Sequence, residues 1–203
     1  MKTKFILFFI LTLFFGALVS RQNELIKIPK EERQLIQIQE KILVGKVARV
    51  ADGDSLTLDS GEVIRLFGID APELSQTCIL STEVQDKDSN ETIVKEETIK
   101  CGENAKNKLL DLIASNEIKC IIKGKDAYDR FVGECGFEKY NKRTRRRDKI
   151  NINKEMILSG NAVAFSQISE KYVEDENKAK SENKGIWATT FDMPSVYRKK
   201  NIK

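Results

Sequence analysis

The sequence predicts an α+β fold, mainly β, in which five strands form a small closed barrel with helices on its outside. Two observations support this class. Three strand-like segments separated by short turns come first, and a helical pattern, two more strand-like segments and two further helical patterns follow. The 203 residues are 40% hydrophobic and include only three prolines, which fits one globular domain and excludes a disordered or collagen-like chain.

Residues 1–20 differ in composition from the rest of the chain. Lys2 and Lys4 precede an apolar run over 5–19. A basic start and a short apolar run are typical of a secretory signal peptide, and the run is shorter than the roughly 20 residues of a membrane helix. We expect an exported protein, secreted or periplasmic, with an uncleaved N-terminal membrane anchor as the alternative. Residues 21–41 are charged and are interpreted as an exposed polar leader.

The domain is predicted to begin at residue 42. The first strand covers 42–50 and is followed by a turn at Asp52-Gly53. Residues 54–58 alternate between apolar and polar side chains, and residues 62–69 return as a third strand after a hairpin turn.

A polar, mainly acidic segment separates this hairpin from the later elements. Residues 74–100 are expected to form a solvated loop, because acidic side chains dominate them. The remaining patterns predict a helix over 102–114, strands over 117–123 and 130–137, and helices over 153–159 and 169–184.

Composition restricts the chemistry that the chain can carry. Histidine is absent, which excludes Ser-His-Asp triads, Cys-His proteases and HExxH metalloproteases. Residues 1–20 contain two lysines and no acids, so their removal lowers the formal net charge from +4 to +2. A net charge this small indicates little about partners, and the distribution of charge has to be considered instead.

Several charged residues converge near one end of the second and third strands. If these strands pair across their turn, Asp54 faces Arg65 to within one residue of register. Asp70 and Glu73 follow on the third strand, which Pro72 ends because proline cannot donate a ladder hydrogen bond. Carboxylates without thiolate or imidazole suit Ca²⁺ or Mg²⁺, and an adjacent arginine could clamp a phosphate. From spacing alone, an Asp-Gly turn with a surface salt bridge remains an equal alternative.

Three motifs resemble the staphylococcal nuclease (thermonuclease-like) family. They are Val-Ala-Asp-Gly-Asp-Ser-Leu over 50–56, Ile-Arg-Leu-Phe-Gly-Ile-Asp-Ala-Pro-Glu over 64–73 and Asp-Ala-Tyr-Asp-Arg over 126–130. The resemblance covers about residues 42–190. It implies a five-stranded OB-type barrel with three helices and a calcium-dependent endonuclease that hydrolyses DNA and RNA with little sequence preference.

The resemblance further implies a monomer with no obligate protein partner, acting on DNA and RNA with single strands preferred. The alternative is a catalytically inactive OB-fold module that binds nucleic acid or protein. Inactive domains of this family usually lose the acids or arginines of the motifs, whereas this chain contains all of them. We therefore expect an active hydrolase.

The family's calcium ligands match Asp54, Asp70 and the backbone carbonyl of Ala71. Ala71 stands where the family often has threonine, and the carbonyl contact does not depend on the side chain. Asp52 matches an acid that lies near the metal without binding it. The implied cofactor is Ca²⁺.

The family's catalytic side chains match Glu73, Arg65 and Arg130. The resemblance implies that Glu73 is the general base that orients or deprotonates the attacking water. The two arginines would hold the phosphodiester and stabilise its pentacoordinate transition state. Tyr128 matches a tyrosine near the bound phosphate.

The four cysteines are expected to form two disulfides, because an exported chain reaches an oxidising compartment. One register of the hairpin predicted over 117–137 places Cys120 opposite Cys135. Cys78 and Cys101 would then close the acidic loop.

A basic segment follows the fifth predicted strand. Its arginines are too densely charged to be buried, so we expect an exposed loop that tracks the nucleic-acid backbone. A merely solvated basic loop is the alternative. The arginines are Arg143, Arg145, Arg146 and Arg147.

Overall fold

The structure is a computed structural model, and it describes residues 40–85 and 91–201. The predicted signal peptide over 1–20 and nearly all of the predicted leader over 21–41 lie outside the described residues. Within the described ranges, no helix has both the length and the apolar character that a membrane span requires.

Ten strands and four α-helices make up the described part of the chain. The strands are β1 (Ile42–Val50), β2 (Ser55–Leu58), β3 (Val63–Leu66), β4 (Ile69–Asp70), β5 (Cys78–Gln85), β6 (Thr92–Ile99), β7 (Glu117–Lys125), β8 (Phe131–Asn141), β9 (Arg146–Asn151) and β10 (Val163–Ala164). The helices are α1 (Cys101–Ile113), α2 (Ile152–Leu158), α3 (Val173–Ser181) and α4 (Pro194–Asn201), with a short 3₁₀ helix over Gly185–Ala188.

Five strands form the predicted barrel. They lie in the order β3-β2-β1-β7-β8, and β3 pairs with β8 in parallel to close the sheet on itself. The other barrel pairings are antiparallel. The predicted OB-type barrel is therefore confirmed, with four helices in the described residues where three were expected.

The core fills the barrel and extends under the first two helices. Leu56, Ile64 and Ile118 are fully buried among the barrel strands. Leu109 of α1 and Met156 of α2 are fully buried in the same cluster. Apolar residues that recur at helical spacing therefore face the barrel, as the sequence pattern predicts.

Two predicted loops are β-hairpins instead. In the acidic segment β5 and β6 form an antiparallel hairpin, in which Cys78 lies opposite Ile99 and Gln85 lies opposite Thr92. In the basic segment β9 pairs with β8, so Arg146 and Arg147 lie in a strand, and the Asn141 side chain accepts hydrogen bonds from two backbone N–H groups of the turn. Strands β5, β6 and β9 lack the alternation of buried and exposed residues that identifies a strand in sequence, because Cys78 is the one buried residue among them.

Both predicted disulfide pairs are present in the structure. Cys120 and Cys135 are direct cross-strand partners in the predicted register of β7 and β8. The Cys78–Cys101 disulfide joins the first residue of β5 to the first residue of α1. The structure contains no other cysteine.

Candidate active site

The turn between β1 and β2 places Asp54 inside the protein. The backbone N–H of Asp54 donates to Asp52 Oδ1 at 3.0 Å, which closes a short turn. A Cβ atom on Gly53 would lie 2.7 Å from the Cβ atoms of both Ala71 and Ala105. Glycine is therefore required for the turn to pack between α1 and the end of β4. Asp54 follows directly and is only 2% exposed.

The carboxylate of Asp54 is fully engaged by neighbouring donors. Its Oδ2 accepts from the backbone N–H of Ala71 at 2.7 Å, and its Oδ1 accepts from Ser55 Oγ at 3.0 Å and from Arg65 Nη1 at 2.5 Å. The strand register pairs Ser55 with Arg65, one residue from the predicted Asp54–Arg65 pairing. The long arginine side chain reaches Asp54 across that difference.

Arg65 bridges two buried carboxylates. Its Nη2 donates to Asp70 Oδ1 at 2.8 Å, while Nη1 contacts Asp54. Burial raises the pKa of Asp54 above its ordinary value, and Arg65 counteracts that shift. Desolvation opposes the charge of Arg65, yet Asp54 and Asp70 together outweigh it and raise the pKa of the guanidinium above its ordinary value.

Glu73 lies at the edge of the same site. Asp70 ends β4, which pairs with β10, and Pro72 separates this strand from Glu73. A Cβ atom on Gly102 would lie 1.8 Å from the carbonyl oxygen of Glu73, so the start of α1 packs directly against this residue. The side chain of Glu73 remains 37% exposed and is therefore accessible to water.

Arg198 of α4 completes the cluster, and none of the sequence motifs predicted it. Its Nη1 donates to Asp70 Oδ1 at 2.9 Å and to Glu73 Oε1 at 2.8 Å, and its Nη2 donates to Asp70 Oδ2 at 2.8 Å. The hydrogen bonds to Asp70 raise the pKa of Arg198 above its ordinary value, and the hydrogen bond to Glu73 adds to this effect. Desolvation lowers the pKa but is outweighed. No sequence signal indicates this residue, because it lies in a polar C-terminal segment, more than a hundred positions after the carboxylates that it contacts.

Arg130 lies in the turn between β7 and β8 and is held in place by Asp126. Its Nε donates to Asp126 Oδ2 at 2.7 Å, and its Nη1 lies 3.5 Å from Ser55 Oγ. Desolvation disfavours the ionised form of Asp126, but hydrogen bonds from Arg130 and from the backbone of Tyr128 outweigh it and hold the pKa of this carboxyl below its ordinary value. Tyr128 is 81% exposed, and the centroid of its ring lies 5.6 Å from the guanidinium carbon of Arg130.

These residues surround one open cleft of about 670 Å³. Arg65, Glu73, Arg130 and Arg198 all line it, together with Tyr128. The structure therefore brings together the predicted catalytic side chains. Three guanidinium groups and a half-exposed carboxylate that line one cleft could bind a phosphodiester and activate a water molecule beside it.

The basic residues predicted to contact substrate are not part of this cleft. They lie in the turn and the second strand of the β8–β9 hairpin, and they are exposed. One of them, Arg147, has its Nη1 3.9 Å from Glu138 Oε2 across the hairpin. The four are Arg143, Arg145, Arg146 and Arg147.

The predicted metal ligands lie together, although they do not form a cluster of three carboxylates. Within residues 40–85 and 91–201, no three His, Cys, Asp or Glu side chains are arranged to hold a metal ion. The predicted set consists of two carboxylates, Asp54 and Asp70, and the carbonyl of Ala71. One guanidinium, that of Arg65, contacts both carboxylates, so the two face a common space.

A small closed barrel of five strands, with carboxylates and arginines at an open cleft, places the chain in the class of OB-fold proteins. Comparison with known protein families then identifies the chain. The model of the staphylococcal nuclease homologue family matches residues 63–189, more than half of the sequence, and the chain therefore belongs to that family. The resemblance found in the sequence motifs is confirmed.

Two known proteins are similar in sequence to most of this chain. The chain is 29% identical to an uncharacterized endonuclease of Haemophilus influenzae over 161 residues, which are 76% of this chain and 72% of that protein. It is 32% identical to the succinoglycan biosynthesis protein ExoI of Rhizobium meliloti over 142 residues, 69% of this chain and 62% of that protein. The chain thus spans less than two thirds of the length of ExoI. Family membership and the endonuclease relative support a nuclease-type function.

Proposed function

We propose that the protein is an exported, Ca²⁺-dependent endonuclease that hydrolyses phosphodiester bonds of DNA and RNA with little sequence preference. One observation carries the proposal. The carboxylate of Glu73 and the guanidinium groups of Arg65 and Arg130 line one open cleft, beside two buried aspartates. This arrangement supplies a base and two phosphate-binding groups within a single accessible site.

The side chains of the cleft have separate roles in the proposed hydrolysis. Glu73 is accessible to water, so it can accept a proton from the water that attacks phosphorus. Arg65 and Arg130 present planar donors that match non-bridging phosphate oxygens. Ion pairs with Asp54, Asp70 and Asp126 fix the two guanidinium groups in place. The guanidinium groups then stabilise the negative charge that grows as the fifth oxygen adds to phosphorus.

The character of the cleft supports cleavage with little sequence preference. Arginine contacts to phosphate carry no base information, because every nucleotide presents the same phosphate. Phe165 and Ile168 line the cleft and offer apolar surface to a base without hydrogen bonds that read its edge. The open cleft favours a flexible single strand over a duplex.

The donor chemistry of the site fits Ca²⁺. Asp54, Asp70 and the carbonyl of Ala71 would supply oxygen ligands only, and water would complete a coordination shell that Ca²⁺ accepts in irregular geometry. A bound Ca²⁺ would polarise the phosphate oxygens and stabilise their developing charge.

The disulfides support export. Cys78–Cys101 and Cys120–Cys135 are both formed in the structure, and disulfides persist in secreted and periplasmic proteins. Alkylation and mass mapping of protein taken from the culture medium, the periplasm and the cytoplasm would locate the oxidised form. Reduced protein confined to the cytoplasm would contradict export.

One assay tests the proposed activity. Purified residues 21–203 are incubated with single-stranded DNA in Ca²⁺ and in EGTA, and Glu73→Gln is compared with the wild type. We expect cleavage in Ca²⁺ only, and a loss of turnover on the order of 10²–10⁴-fold in Glu73→Gln, because a general base is removed. Glu83→Gln, which neutralises an exposed carboxylate on β5, is the matched control and should keep full activity. Wild-type cleavage unchanged by EGTA would remove the metal from the mechanism, and binding of DNA without cleavage would favour an inactive module.

A further inference from the structure

The C-terminal segment is docked onto the loop that carries Glu73. Tyr197 of α4 places its hydroxyl 3.3 Å from the hydroxyl of Ser75. The buried side chain of Gln76 donates to the carbonyl of Asp192 at 2.6 Å and accepts from the backbone N–H of Glu73 at 3.2 Å. The segment that precedes α4 and the segment that follows β4 are therefore joined by polar contacts close to Glu73.

Arg198 projects from this docked helix into the active site. It contacts both oxygens of Asp70 and one oxygen of Glu73 through hydrogen bonds of 2.8–2.9 Å. Within residues 40–85 and 91–201, Arg198 is the one side chain that hydrogen-bonds to the carboxylate of Glu73. The position of that carboxylate in the cleft is therefore set by a residue outside the 63–189 match to the family.

We propose that Arg198 is a positioning residue of the active site, which fixes the carboxylates of Asp70 and Glu73 relative to each other. The inference rests on the proposed nuclease function. A half-exposed glutamate has three rotatable side-chain bonds, and without a partner its carboxylate samples several orientations. The planar guanidinium donates in a rigid geometry, so two of its nitrogens bound to Asp70 leave one direction for the bond to Glu73. A water molecule held by Glu73 is then aligned with the phosphate.

The mutants Arg198→Ala and Arg198→Lys test this role by steady-state kinetics in Ca²⁺. We expect Arg198→Ala to lower kcat about 10- to 100-fold and to change KM by less than about threefold, because misplacement of a catalytic group reduces the rate of the chemical step. Lysine retains the charge but not the planar fork, so Arg198→Lys should recover part of the activity. Lys200→Ala is the matched control, since Lys200 lies on the same helix and pairs with Asp192 outside the cleft. It should behave as the wild type.

A double-mutant cycle distinguishes positioning from a general loss of structure. If Arg198 acts through Glu73, then Arg198→Ala should lower kcat by less than about twofold in a Glu73→Gln background. The thermal unfolding midpoints of the same four proteins supply a readout that does not depend on activity. We expect the two substitutions to lower Tm non-additively, because both act on the same charge-assisted hydrogen bond: Arg198→Ala removes its donor and Glu73→Gln removes the charge of its acceptor.

Several outcomes would overturn the inference. One is a wild-type kcat in Arg198→Ala, and another is an equal loss of kcat when Arg198→Ala is made in the wild-type and in the Glu73→Gln background. A third is higher activity and tighter Ca²⁺ binding in Arg198→Ala, which would make the guanidinium a competitor of the metal. An inactive wild type would contradict the proposed nuclease function instead. In that case the Tm cycle alone decides the inference, with additive shifts against it and non-additive shifts for it.

Discussion

Single residues of the active site are arranged so that buried carboxylates are compensated by guanidinium groups. Asp54 and Asp70 are each 2% exposed, and ionised side chains at that depth require partners. Arg65 contacts both, and Arg198 contacts Asp70 as well. Arg130 is different, because its carboxylate partner, Asp126, remains accessible to solvent. The arginines should therefore differ in what they contribute to stability.

Substitution of Arg65 and of Arg130 by alanine tests that difference. Both should lower turnover, because both donate to the phosphate in the transition state. Arg65→Ala should also lower the free energy of unfolding by about 3 kcal/mol, because it leaves the buried carboxylate of Asp54 without a cationic partner. Arg130→Ala should cost less than about 1 kcal/mol, since its pair with Asp126 is partly solvated.

Urea denaturation of the two variants beside the wild type would measure the effect on stability, and initial rates on single-stranded DNA would measure turnover. Equal destabilisation by both substitutions would contradict the assignment of Arg65 to charge compensation. Unchanged turnover in both would favour a binding module over an enzyme.

The sequence predicted most of this cluster but not all of it. Hairpin pairing brings Arg65 near Asp54 whatever the exact register, and the strand end at Pro72 fixes Asp70 and Glu73 close by. Arg198 depends on how a distant helix packs. No local pattern encodes that packing, so only the three-dimensional structure reveals it.

Among the elements, the two hairpins show where sequence patterns fail. β5, β6 and β9 have mostly exposed side chains on both faces, so burial imposes no alternation on them. Their charged composition then favours a loop over a strand. The barrel strands β2 and β3 bury apolar side chains at alternate positions, Leu56 and Leu58 in β2 and Ile64 and Leu66 in β3, and this alternation predicts a strand.

The β8–β9 hairpin should bind the nucleic-acid backbone without taking part in the chemical step. Its arginines lie outside the cleft, so replacing them with serine should raise KM and leave kcat nearly unchanged. The slope of log affinity against log salt should decrease in magnitude by about 0.7 for each phosphate of a single strand that the variant no longer neutralises. The four positions to change together are Arg143, Arg145, Arg146 and Arg147.

Kinetics measured over a range of NaCl concentrations would test this effect. The matched control replaces the same four residues with lysine, which keeps the charge and should keep both KM and the salt slope near the wild-type values. If the serine variant also keeps them, the hairpin contributes solubility only.

The two disulfides should differ in their effect on activity. Each closes a loop of comparable length, with sequence separations of 23 and 15 residues, so removal of either should lower the free energy of unfolding by about 3 kcal/mol. Cys101 is followed by Gly102, which packs against the carbonyl of Glu73. Loss of the Cys78–Cys101 disulfide should therefore also lower kcat at temperatures at which the variant is still folded. Loss of the Cys120–Cys135 disulfide should leave kcat unchanged under the same conditions.

Paired alanine variants of each disulfide, compared by urea denaturation and by initial rates at low temperature, would measure both effects. Equal rates in the two variants would show that the start of α1 does not support the active site.

At the scale of the whole molecule, the active site extends beyond the residues that match the family model. Residues 63–189 match the family, and the segment that carries α4 lies beyond them, yet it supplies Arg198 to the site. The barrel could be predicted because its strands have alternating burial and short turns. The docking of α4 could not, because the helix is short and polar and is held by a few side-chain hydrogen bonds.

Binding of Ca²⁺ should stabilise the whole fold, since the proposed ligands come from separate segments and are brought together only in the native state. A ligand that binds only the native state adds about 2.7 kcal/mol to the free energy of unfolding at a concentration one hundred times its Kd. Thermal unfolding in Ca²⁺ should therefore give a higher Tm than unfolding in EGTA. Asp70→Asn should abolish the shift, because it weakens a proposed ligand, whereas Asp52→Asn should keep most of it, because Asp52 is proposed to lie near the metal without binding it. Superimposable unfolding curves in Ca²⁺ and EGTA at millimolar concentrations would contradict a calcium site formed by Asp54, Asp70 and Ala71.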